Sequence, residues 1–70
     1  MQSKVISIKP DTPSGTPCFV GTRVPIKSLF DYLEAGDDLD EFLDQFPSVT
    51  REAAVQLLED SRHALLTAVL

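Results

Sequence analysis

The stretch Pro25-Ile-Lys-Ser-Leu-Phe-Asp-Tyr-Leu-Glu-Ala-Gly-Asp-Asp-Leu-Asp-Glu-Phe-Leu-Asp-Gln-Phe-Pro47 decides the fold, because here the apolar residues take up a helical period. Ile26, Leu29, Phe30 and Leu33 follow the i, i+3, i+4, i+7 spacing of one helical face. Pro25 suits the first helical turn, where its missing N–H costs nothing, and Gly36 suits the position just past the helix end. A second helix is predicted to open at Asp38, with Glu41 completing a capping-box-like pair. Its apolar set is Leu39, Phe42, Leu43 and Phe46, and Pro47 ends it.

Beyond Pro47, Thr50 is the expected cap of a third helix, with Glu52 favourably placed in its first turn. Ala54, Leu57, Leu58, Ser61, Leu65, Ala68 and Val69 share one face of it. Its end, Ala64-Leu-Leu-Thr-Ala-Val-Leu70, is apolar almost all round, so it is expected to pack against something, for which a second subunit is a candidate.

Upstream of Pro25 the period is that of strands. Lys4 to Ile8 reads as a short strand ended by Lys9-Pro10, and Asp11-Thr-Pro-Ser14 reads as a turn. Cys18, Phe19 and Val20 precede a Gly21-Thr22 turn, with Arg23-Val24 continuing beyond it, the pattern of a small hairpin. That hairpin could pair with the first strand, or with the same strand of a second copy. The fold class is therefore mainly α. One domain covers residues 1–70, with a β element over 1–24 and a three-helix, helix-turn-helix-like unit over 25–70.

Seventy residues bury a thin core, and a net stability on the order of 3 to 10 kcal/mol is expected. A lone Cys18 closes no intrachain disulfide, and no Cys/His cluster offers a zinc site, so self-association as a homodimer is a reasonable expectation. The N-terminus lacks the apolar core of a signal peptide, and no stretch approaches the ~20 apolar residues of a membrane span. Cytoplasmic location without membrane contact is expected.

The net charge of −5, from six bases against eleven acids, disfavours nucleic acid as an autonomous partner. In a DNA-binding helix-turn-helix, the first helix of the pair crosses the phosphate backbone. Here that helix carries Asp38, Asp40, Glu41 and Asp44 and no base. The would-be reading helix offers Arg51, Gln56 and Arg62, but also Glu52, Glu59 and Asp60. The acidic run is either a solvated helix surface or a face complementary to a basic partner such as a nuclease rim. Arg23 is either an exposed strand residue or an interface anchor. Cys18 reads as a small buried hydrophobe and His63 as a solvated side chain. No phosphate loop, metal spacing or nucleophile motif is present, so no enzymatic activity and no cofactor are expected.

The stretch Gly15-Thr-Pro-Cys-Phe-Val-Gly-Thr-Arg-Val-Pro-Ile26 resembles the signature of the bacterial and archaeal domain-of-unknown-function family four-three-three. The likeness runs through Gly15, Pro17, Gly21, Thr22 and Arg23. It continues through Tyr32-Leu-Glu-Ala-Gly36, Asp40-Glu-Phe-Leu-Asp-Gln-Phe-Pro47 and Thr50-Arg-Glu-Ala-Ala-Val-Gln-Leu-Leu58. The tail Glu59–Leu70 lies outside the shared pattern. The resemblance implies a helix-turn-helix-like fold and a role as the antitoxin of a type II toxin–antitoxin pair, with a PIN-like ribonuclease toxin as partner. On that reading Arg23, Asp38, Asp40, Glu41, Asp44, Leu66 and Leu70 are the expected contacts. The alternatives are a helix-turn-helix DNA-binding transcriptional regulator, with Arg51, Gln56 and Arg62 as its candidate contacts to DNA, bound alone or within a complex, and a plain dimerisation module.

Overall fold

A computed structural model of the chain describes residues 4–8 and 15–68. The expected turn at Asp11–Ser14, the strand end at Lys9-Pro10, and Val69 and Leu70 lie outside the described residues. Two strands, β1 (Ile6–Ile8) and β2 (Pro17–Phe19), are followed by three helices, α1 (Lys27–Glu34), α2 (Leu39–Gln45) and α3 (Arg51–Ala68). The strands pair antiparallel, Ile6 opposite Phe19 and Ile8 opposite Pro17, so the first strand finds its partner within its own chain.

The far edge of β2 is closed by the segment that enters α1. Phe19 N–H donates to the Val24 carbonyl at 2.9 Å, and Ile26 N–H donates to that of Pro17 at 3.1 Å. Arg23 and Val24 therefore do not continue a strand, and Pro25 forms a single bridge opposite Cys18 rather than a first helical turn. The reason lies in the turn between them. Gly21 has φ of 75°, a left-handed value that glycine adopts at little steric cost, and it swings the chain back across β2.

Each helix stops where its sequence dictates. At the end of α1, Asp37 N–H donates to the Tyr32 carbonyl and Gly36 N–H to that of Leu33, the paired bonds of a Schellman motif, with Gly36 at φ 92°. Asp38 caps α2 by accepting from Glu41 N–H at 2.9 Å. Thr50 caps α3 by accepting from Ala53 N–H at 3.1 Å. Val49, just before that cap, and Ala54, in the first turn, are both buried in the core, the arrangement of a hydrophobic staple.

The core joins Phe19 of β2, Leu29 of α1, Phe42 of α2, and Val49, Ala54 and Leu57 around and within α3. Phe42 is its hub, with its ring centroid 6.1 Å from Phe19, 5.6 Å from Tyr32 and 5.0 Å from Phe46. Such tilted and edge-on pairs each add about 0.5–1.5 kcal/mol beyond area burial. The buried face of α1 runs through Leu29 with Tyr32 packed beside it, while Leu33, predicted to face inward, is exposed. Tyr32 takes that place because its ring meets both Phe42 and Phe46 edge-on.

Candidate partner-binding surface

The candidate residues fall on three elements. The Gly21-Thr22-Arg23 turn shows how one short motif divides between folding and surface. Thr22 is buried, its hydroxyl donates to the Phe19 carbonyl at 2.9 Å, and the same oxygen accepts from Val24 N–H at 3.0 Å. The sequence places Thr22 in a turn, and the structure adds that its side chain is buried there. The signal was available in a threonine directly after a turn glycine, since its short hydroxyl chain bonds to neighbouring backbone. Arg23 is exposed beside it.

The second element is α2. Its apolar residues Leu39, Phe42, Leu43 and Phe46 turn inward, so Asp40, Glu41 and Asp44 necessarily share the outward side. These acids are not equivalent. Asp38 is engaged as the helix cap. Asp40 forms an exposed ion pair with Arg51 at the start of α3, tying the two helices together at the surface. Glu41 holds its proton more tightly than an ordinary glutamate. A hydrogen bond with Asp37 is the main cause, followed by the negative charges of Asp37 and Asp38. Asp44 is exposed. The face is a patch of like charge whose members repel each other.

The third element is α3. Arg51 is committed to Asp40, and the Gln56 amide donates to Asp60 at 2.8 Å, so two of the three residues suggested for DNA reading are held by acids. Arg62 and His63 are exposed. Val55, Leu65 and Leu66 are exposed as well, Leu65 at 68%. Leu65 and Leu66 of the apolar tail therefore stand uncovered within the described domain. Leu66 lies fifteen residues beyond Arg51 along α3, about 22 Å on the helix rise. The described predicted contacts thus fall in three places, Arg23 on the turn after β2, the acids at and on α2, and Leu66 near the far end of α3. Leu70 lies outside the described residues.

An open groove of about 610 Å³ between the start of β1 and α3 is lined by Lys4, Val5, Thr50, Glu52, Gln56 and Asp60 among others. Of the candidate residues it touches only Gln56. Among the described residues, no group of His, Cys, Asp and Glu side chains is placed to hold a metal ion, and Cys18 is a buried free thiol. No described helix is long and apolar enough to cross a membrane.

The model of a family described as "Protein of unknown function (DUF433)" matches residues 6–59. No curated protein and no solved structure matches the chain.

Proposed function

This chain belongs to the DUF433 family, and from that premise we propose that it is an antitoxin that neutralises a PIN-like ribonuclease toxin by direct binding in the cytoplasm. The observation that carries the reading is the outward face of α2, where Asp40, Glu41 and Asp44 stand exposed with no base on the helix. A ribonuclease must present positive charge to its phosphate substrate, and a surface of the opposite sign competes for that charge. Complementary charge of this kind speeds encounter and selects the partner. The acids of α2 would cover the RNA-binding rim, and Arg23, exposed in the turn after β2, is a candidate anchor.

The test is inhibition of the nuclease encoded beside this gene. The wild-type chain should form a complex with it and suppress RNA cleavage at stoichiometric ratio. The charge-reversed pair Glu41→Lys/Asp44→Lys should associate at least ~10-fold more slowly at low salt, with the gap narrowing as salt rises. Unchanged RNA cleavage under excess chain, with no complex formed, would reject the antitoxin reading. The DNA-binding alternative would gain if the chain alone retarded its upstream DNA with strong salt dependence. The engagement of Arg51 and Gln56 by acids weighs against that outcome.

A further inference from the structure

On α3, Val55, Glu59, Arg62 and Leu66 are all exposed, and their 4–3–4 spacing puts them within about 60° of the helix circumference. They lie roughly opposite the line through Ala54, Leu57 and Ser61 that faces the domain, so this stripe lies outside the core and the apolar residues packed against it. The ion pairs among the described residues are Lys27–Asp31 and Arg51–Asp40, which leaves Glu59 and Arg62 outside any of them.

Read along the helix, the stripe runs apolar, acid, base, apolar. That order is self-complementary when reversed. Two copies of α3 laid antiparallel, crossing between Asp60 and Ser61, set Val55 against the partner copy's Leu66 and Glu59 against its Arg62, twice over. A parallel alignment would instead place Glu59 on Glu59 and Arg62 on Arg62, and repel. We propose that the outer face of α3 is a homodimerisation surface, on which a second copy of this chain packs antiparallel about a twofold axis through the middle of the helix.

Charge complementarity selects the second copy as the occupant, because a twofold interface requires each residue to meet the residue that meets it. Charged groups at seam positions set orientation and register more than strength. A seam of this length lies at the small end of specific interfaces, so the dimer is weak and concentration-dependent. It does not depend on the identity of any other partner.

Sedimentation equilibrium of the full chain, over a series reaching millimolar concentration, tests the proposal. The wild type should self-associate to a dimer. Glu59→Arg and Arg62→Glu should each weaken the dimer about tenfold or more, because each sets like charges together at both symmetry-related positions. The double variant Glu59→Arg/Arg62→Glu should recover wild-type association, since the reversed pair is again complementary. All these positions are exposed, so circular dichroism should show every variant folded. A wild type that stays monomeric throughout would overturn the proposal. So would a dimer that the single reversals leave unchanged, or one that the double reversal fails to restore.

Discussion

The seven residues of α2 place Phe42 at the centre of the core, whereas the eighteen of α3 bury Ala54 and Leu57 and leave Val55, Leu65 and Leu66 in water. Both helices alternate apolar and charged sides. On α2 the division is complete, with the aromatics inward and acids of a single sign outward. On α3 the inward line runs through Leu58, which still packs on the core, to the half-buried Ser61 and Ala64. Past that point the helix has little of the domain beside it, and the outward side mixes apolar residues with charges of both signs. An element that exhausts its apolar residues inside the domain is accounted for by folding, and its exposed face is free to be specialised. An element that does not is incomplete as a monomer.

The sharpest way to break this contrast is to truncate one large apolar residue on each helix. Phe42 is fully buried and ringed by three aromatic neighbours, so Phe42→Ala should cost about 3–5 kcal/mol. That is a large part of the whole stability of a domain this size, and the variant should be largely unfolded in a urea titration. Leu66→Ala removes a side chain that is half in water, and should move the unfolding of a dilute monomer by no more than about 0.5 kcal/mol. Equal losses at the two sites would mean that α3 is covered within its own domain, and the contrast would fail.

The same division runs through the Gly21-Thr22-Arg23 turn. Thr22→Val keeps the shape of the side chain but leaves Val24 N–H without its acceptor and deprives the Phe19 carbonyl of a donor. A loss of about 1–3 kcal/mol is expected from unmaking such partly buried bonds, read from the urea midpoint at unchanged slope. Arg23→Ala, on the exposed neighbour, should change stability little. If the two variants proved equal, Arg23 would have a folding role that the structure does not reveal.

The helical part of the fold was legible because apolar spacing, Pro47, Gly36 and the caps at Asp38 and Thr50 all act over a few residues, where local chemistry decides. The details that escaped are those set at longer range. Leu33 and Tyr32 are both candidates for the inner face of α1, and only the aromatic pair Phe42 and Phe46, brought up from α2, settles the choice for Tyr32. Arg23-Val24 looked like strand because the residues suit one, yet the left-handed Gly21 sends them across β2 as a closing segment. The candidate site was legible as residue types but not as a place. Sequence could not tell that Asp40 is held by Arg51, or that Leu66 lies far along α3 from the acids of α2.

The smallest expected effect concerns the outward face of α2, whose single sign distinguishes it from that of α3. Glu41 has a raised pKa in the folded chain because of its hydrogen bond with Asp37 and the charges of Asp37 and Asp38. The folded state therefore binds this proton more tightly than the unfolded state. The resulting contribution to stability is fully present below the ordinary glutamate range, and it is lost as pH rises through the raised folded value. By neutral pH the face carries its repulsion unrelieved, held in place by the packing of Phe42 and Phe46 behind it. Carboxyl NMR titration should show Glu41 as a late-deprotonating glutamate. Asp37→Asn should bring its midpoint down by the larger amount, and Asp38→Asn by a smaller one, in keeping with the order of their influence. A basic surface docked on the same acids should also lower it, since an opposite charge favours the ionised form. A midpoint unmoved by either substitution would mean that the acids of α2 do not act on one another, and the outward face would then be a row of independent, solvated charges.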